Sequence, residues 1–176
     1  ATNAQGVHFC ELQHIADKVL DNMHRNVDGA WTRELIRKMR EKVPGVVLRT
    51  TMIVGHPGEG KRAFAELLDF VKEARFERLG AFKYSEEEGT YGADNFKDTI
   101  SKRVKQERLD ELMTLQSEIS MAFNQSRVGS EIDVIVDDFV DGVFLCRSEF
   151  ESPEVDGEIL VKYDSSVFAD VDPYSV

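Results

Sequence analysis

Hydrophobic positions change their period several times along this 176-residue chain, and each change marks an element. Val7-His-Phe-Cys10 is a short apolar run that predicts a strand, followed by the polar end Glu11-Leu-Gln-His14. Ile15, Val19, Leu20 and Met23 then recur at helical spacing. A second helix is predicted from Asp28-Gly-Ala through Val43, with Trp31, Leu35, Ile36 and Met39 sharing a face and Pro44-Gly45 ending it. Val46 to Val54 is a β-rich run. Phe64, Leu67, Leu68, Val71 and Ala74 make the next stretch, Lys61–Arg75, an amphipathic helix. Leu79 to Tyr84 reads as another strand, closed by the polar loop Ser85-Glu-Glu-Glu-Gly-Thr90. Strands alternating with helices predict parallel pairing, with helices outside the sheet. Three strands are too few for a whole barrel, so this part is expected to be a piece of one.

Ser101 to Ser126 is the longest helix, with Val104, Leu112, Leu115, Ile119 and Phe123 along one stripe. Beyond Arg127 the period becomes two. Ile132, Val134 and Val136 alternate with polar residues, and Val143–Cys146 and Ile159–Tyr163 follow as short strands separated by Asp-Gly and Ser-Pro turns. Such spacing predicts a small β-barrel of the oligonucleotide-binding type. The expected organisation is therefore α/β: a partial barrel over residues 1–100, a connecting helix over 101–126 and an all-β module over 127–176.

Charge sharpens this division. Residues 127–176 hold three Lys/Arg (Arg127, Arg147, Lys162) against 13 Asp/Glu, which accounts for −10 of the chain's −11. A field of that sign repels nucleic acid and attracts basic protein, so RNA binding is not expected of this module. Asp137, Asp138 and Asp141 are the candidate partner-binding residues. No apolar run approaches the roughly 18 residues of a membrane span. Two distant cysteines, Cys10 and Cys146, make neither a disulfide framework nor a metal-ligand cluster, and a reducing cytoplasm is the expected compartment.

The segment Leu48-Arg-Thr-Thr-Met-Ile-Val-Gly-His-Pro-Gly-Glu59 carries the most chemistry. A strand stops at a Gly-Pro-Gly loop before a helix, and α/β folds bind ligands at that carboxyl edge. Gly55 and Gly58 are expected to let the backbone approach a ligand, and Glu59 to place a carboxylate at the mouth. Gly55 through Arg62 comes close to a phosphate-binding loop. Arg62 stands where a hydroxyl should hold magnesium, Pro57 removes a backbone donor, and Glu59 would oppose polyphosphate, so a nucleotide-hydrolase reading is set aside.

Together, Leu12-Gln-His14 with Ile15 to Met23, Leu48 to Thr51, Ile53 to Glu59, Phe76 to Gly80, Tyr84 to Thr90, Val104 to Arg108 and Phe150 to Asp156 resemble the radical S-adenosylmethionine methylthiotransferases. The Tyr-Ser-Glu-Glu-Glu-Gly-Thr and Ser-Pro-Glu-Val-Asp segments are similar to the RimO branch, which methylthiolates an aspartate of a small-subunit ribosomal protein. The resemblance implies a fragment of a radical-SAM (TIM-like) barrel followed by a TRAM domain. It also implies S-adenosylmethionine and 4Fe-4S clusters as cofactors, and a basic ribosomal protein as partner. Gln13 and His14 match positions near the ribose and methionine moiety, Ile53, Val54 and Gly55 the adenine wall, and Tyr84 with Ser85 the last strand end; Glu59 joins them as a cofactor-binding candidate. Arg25 or Arg49 could meet the cofactor carboxylate or serve in salt bridges.

The family's Cys-x-x-x-Cys-x-x-Cys triad is not in this chain, so no metal ligand or catalytic residue is assigned here, and the expectation is an inactive carboxyl-terminal portion of the enzyme. His24 and Gly60-Lys-Arg62 also depart from the family's usual residues. A tRNA-modifying relative and a non-catalytic acidic docking module remain as alternatives.

Overall fold

The computed structural model describes residues 7–152 and 156–168. They fall into two units, one spanning 8–128 and the other running from Gly129. Part of the Ser-Pro-Glu-Val-Asp segment, Pro153 to Val155, lies outside the described residues.

The first unit is built on strands β1 (Val7–Gln13), β2 (Val47–Val54) and β3 (Arg78–Lys83), in that spatial order. β2 and β3 run parallel, with Thr51 opposite Gly80 and Ile53 opposite Phe82. Two helices, α1 (Asp17–Asn22) and α2 (Gly29–Lys42), connect β1 to β2, and α3 (Lys61–Ala74) connects β2 to β3. The pleat separates two faces. Leu48, Met52 and Val54 of β2 enter the core with Phe64, Leu67, Phe70 and Val71 of α3. Thr51 and Ile53 face the other way, as does Phe82, which is 64 % exposed.

Local signals explain most boundaries. Asp28 caps α2, its carboxylate accepting from the Trp31 N–H at 2.6 Å. α3 ends at Arg75, which takes the left-handed conformation at φ 49°. Ser101 caps α5 (Lys102–Ser126), which packs on β3, α3 and β2. One expectation fails on α2. Trp31 is 54 % exposed, and Thr32 and Ile36 are the side chains buried instead. The burial stripe lies one residue on from the predicted face, which leaves the indole in solvent. A short helix, α4 (Tyr91–Asn95), follows the acidic loop after β3; Thr90 caps it, accepting from the Ala93 N–H.

The second unit is an antiparallel sheet of β4 (Ile135–Val140), β5 (Val143–Arg147) and β6 (Ile159–Lys162). Phe139, Phe144, Tyr163 and Phe168 gather their rings on one side of it, with centroid separations of 4.9 Å for Phe139–Phe144 and 5.5 Å for Phe144–Phe168. These phenylalanines are thus spent on packing. β4 begins three residues later than the Ile132 alternation suggested, and its pairing with β5 shifts register between Val136 and Asp138. That bulge breaks the simple period of two.

Candidate cofactor cleft

A cleft of about 480 Å³ opens at the carboxyl edge of the first sheet. Glu11 and Gln13 of β1, Thr51 and Ile53 of β2, and Phe82 and Tyr84 at the end of β3 line it, with Met23, His56, Ser85, Tyr91 and Gly92 completing the wall. Its size suits a small-molecule ligand, and its composition, an apolar wall with a few polar groups, is that of a binding site. Ile53 and Phe82 are adjacent partners across the β2–β3 ladder, which gives the cleft one flat apolar side. The Tyr84 hydroxyl is buried and has no hydrogen-bond partner among the described residues. Burial, and then the nearby Glu86, Asp98 and Glu87, raise its pKa.

His56 packs edge-on against Tyr84, with ring centroids 4.6 Å apart. Its Nδ1 lies 3.0 Å from the Pro57 carbonyl, so Nδ1 carries the proton as donor and Nε2 is left as an acceptor. Burial holds its pKa below the ordinary histidine value, against a smaller opposing effect of that carbonyl. His56 was not singled out from the sequence, although its place inside the Gly-His-Pro-Gly loop was a usable signal.

Gln13, Ile53 and Tyr84 therefore meet at the cleft, whereas His14, Val54, Gly55 and Glu59 form the layer behind it. Glu59 is not at the mouth. It is fully buried, accepting from the Gly55 N–H at 2.6 Å and from Arg108 Nη1 at 2.9 Å. Arg108 also donates to the Glu59 carbonyl. An unpaired carboxylate could not stay buried, and the guanidinium of α5 is what draws it inward. This arrangement also uses up the loop: a carboxylate sits on the backbone donor that a phosphate would need, while Lys61 and Arg62 are exposed.

The two loop glycines answer to neighbouring helices. Gly55 has φ 77°, and an added Cβ would lie 3.0 Å from Lys105 Cδ and closer still to Cγ. Gly58, at φ 93°, would drive a Cβ into the Asn22 amide, which donates to the Pro57 carbonyl at 2.8 Å. Both positions need glycine for conformation and for the close approach of side chains. Lys105 in turn donates to the Tyr84 carbonyl at 2.9 Å and pairs with Asp98 at 2.5 Å. Arg25 donates to the Glu11 carbonyl at 2.5 Å.

In the second unit, Asp137 and Asp138 lie on the exposed bulged strand and Asp141 in the hairpin turn. Asp137 pairs with Arg147 at 2.9 Å, and Asp138 accepts from the Phe139 N–H at 2.7 Å. Asp141 and Gly142 both have positive φ, as a tight turn with two left-handed residues requires. Among the described residues no group of three or more His, Cys, Asp or Glu could hold a metal ion, and no helix is long and apolar enough to cross a membrane.

Comparison with known proteins agrees with this architecture. Residues 128–172 match the family model described as the TRAM domain. The chain is 54 % identical over 153 residues to the ribosomal protein uS12 methylthiotransferase RimO of Phocaeicola vulgatus, covering 87 % of the chain and 35 % of the relative. It is 52 % identical over 154 residues to RimO of Porphyromonas gingivalis, covering 88 % and 36 %. Over 151 residues it is 50 % identical to RimO of Bacteroides fragilis, covering 86 % and 35 %. The chain thus spans about a third of these relatives' length. Among solved structures, coproporphyrinogen III oxidase (HemN) of Escherichia coli, a radical SAM enzyme, superposes with a TM-score of 0.55 at 21 % identity, over 65 % of this chain and 27 % of that one. The fold is that of part of a radical SAM barrel followed by a TRAM domain, and over about a third of their length the chain is similar to the RimO-type methylthiotransferases.

Proposed function

We propose that this chain is the cofactor-binding and target-docking portion of an S-adenosylmethionine-dependent methylthiotransferase that modifies an aspartate of ribosomal protein uS12 in the cytoplasm. In this reading residues 1–100 belong to the barrel, 101–126 connect, and 127–176 form the TRAM domain. The observation that carries it is the convergence of Gln13, Ile53 and Tyr84 on one cleft at the carboxyl edge of parallel strands. The cleft suits S-adenosylmethionine. Ile53 and Phe82 offer a flat wall to an aromatic base, and the orphaned Tyr84 hydroxyl and the His56 Nε2 lone pair offer a donor and an acceptor to its polar groups. His14, Val54, Gly55 and Glu59 act from behind, holding the strand ends that present those groups.

Once bound, the cofactor supplies the radical chemistry; the chain's own residues bind and orient it. The iron–sulfur clusters are a different matter. Cys10 and Cys146 are the chain's two cysteines, and a 4Fe-4S cluster held by three clustered thiolates does not fit them. Cluster ligands must come from outside this chain. The acidic module, with Asp137, Asp138 and Asp141 on its surface, suits a basic ribosomal protein and is unfavourable for RNA.

Calorimetric titration of the full-length enzyme with S-adenosylmethionine and with ATP–magnesium tests the cleft. Ile53→Asp, which places a charge on the apolar wall, is expected to abolish S-adenosylmethionine binding and leave the fold intact. ATP binding that depends on Lys61 would contradict the reading.

A further inference from the structure

The end of β1 carries a backbone outlier. Gln13 has φ 64°, and the His14 N–H donates back across it to the Leu12 carbonyl at 2.8 Å. A bond from residue i+2 to residue i over a positive φ is the rare, strained form of γ-turn. A residue with a side chain is disfavoured there by roughly 1–2 kcal/mol, whereas glycine accepts it readily. The chain nevertheless places a glutamine at this position, and that glutamine lines the cleft. Such strain persists only where the surroundings over-determine the backbone.

The surroundings are buried and charged. His14, the next residue, is fully buried. Its Nδ1 accepts from the Ala16 N–H at 3.0 Å, which leaves the proton on Nε2. That nitrogen faces Glu59 Oε2 at 3.6 Å, and no nearer hydrogen-bond partner for it exists among the described residues. Glu59 is gripped by the Gly55 N–H and by Arg108 of α5. One buried carboxylate thus ties the end of β2 to a helix outside the strand–helix–strand repeat and lies against the end of β1, where His14 approaches it at 3.6 Å.

We propose that His14, Glu59 and Arg108 are positioning residues that hold Gln13 in its strained turn, so that Gln13 meets a polar group of the bound cofactor without reordering. This rests on the cleft being the S-adenosylmethionine site. The geometry assigns Gln13 the ligand contact and gives the other three no contact with ligand.

The test is made on the full-length enzyme, with urea unfolding and S-adenosylmethionine titration as separate readouts. Gln13→Gly is expected to lower the unfolding equilibrium constant about two- to tenfold, the relief of strain less the freedom glycine adds to the unfolded chain. The same variant should weaken cofactor binding by roughly tenfold, as for one lost polar contact. Arg108→Lys and His14→Asn, the latter retaining an acceptor for the Ala16 N–H, should each weaken binding when Gln13 is present and have little effect on it in the Gln13→Gly background. Brace variants that weaken binding equally in both backgrounds would show a merely structural role and overturn the proposal. A Gln13→Gly protein no more stable than the parent would overturn the strained turn. A parent protein that binds no S-adenosylmethionine overturns the functional reading and the ligand role together, while the unfolding measurement still judges the strain.

Discussion

Gly55→Ala adds one carbon to the loop, and its cost can be worked out from two separate sources. The backbone there has φ 77°, which alanine adopts at a cost of about 1–2 kcal/mol. The new Cβ would also lie 3.0 Å from Lys105 Cδ and closer to Cγ. The lysine stem cannot swing aside freely, because its ammonium is held by the Tyr84 carbonyl at 2.9 Å and by Asp98 at 2.5 Å. Overpacking of this kind costs about 1–3 kcal/mol. The total is therefore roughly 2–5 kcal/mol, a large part of a domain's stability. Lys105→Ala largely separates the two sources, since it removes the Cγ and Cδ contacts, keeps only the milder 3.2 Å approach of its own Cβ, and leaves the dihedral. Urea unfolding followed by circular dichroism on the four proteins of the cycle should show Gly55→Ala costing about 2–5 kcal/mol beside Lys105 and about 1–2 kcal/mol beside alanine. An equal cost in both backgrounds would refute the packing argument, and a cost near zero would refute both halves.

Two further outcomes follow from the layer behind the cleft. Arg108→Met leaves Glu59 buried without its guanidinium and should destabilise by about 3–5 kcal/mol, whereas Glu59→Leu combined with Arg108→Met should recover part of that loss, the remainder reflecting the Gly55 N–H left without its acceptor; urea midpoints that fall additively would contradict it. His56 has a pKa depressed by burial, so below its ordinary value of 6.5 the unfolded chain takes up a proton that the folded chain resists. Its contribution to stability is therefore complete above pH 6.5 and declines as the pH falls from there through the folded pKa. In His56→Phe, this part of the pH dependence should vanish from thermal melts taken between pH 7.5 and about 5, and an unchanged profile would exclude the assignment.

The sheet and its helices were largely legible because their apolar residues keep a single period: Phe64, Leu67, Val71 and Ala74 are buried as their spacing requires. Lys105, Arg108 and Gln116 were not. All three are buried on α5 with Leu112 and Ile119. Together with Leu112 and Ile119 they follow one another at steps of three and four residues along the core-facing stripe, a signal present in the sequence but masked by their polarity. Polar residues at such positions enter a core only if partners exist, and the partners here are loop carbonyls and a carboxylate distant in sequence: Tyr84, Glu59 and, for Gln116, the Phe76 carbonyl at 2.9 Å. Periodicity cannot see those. Glu59 was placed at the mouth for the same reason, since its inward turn depends on an arginine 49 residues away.

The polar stripe of α5 also makes that helix intolerant of length change. Near its start Lys105 and Arg108 hold the loops at the carboxyl ends of β2 and β3; farther along, Gln116 and Ser120 hold the carbonyls of Phe76 and Glu77, just before β3 begins. Inserting one residue between these groups would turn the second by about 100° relative to the first, because a helix turns once in 3.6 residues. Either the cleft end or the opposite end of the strand would then lose its grip, even if every inserted residue favoured helix. Descendants of this chain can vary the exposed side of α5 freely, but insertions and deletions must fall outside residues 105–120, because even a whole turn would move the two groups about 5.4 Å apart along the axis.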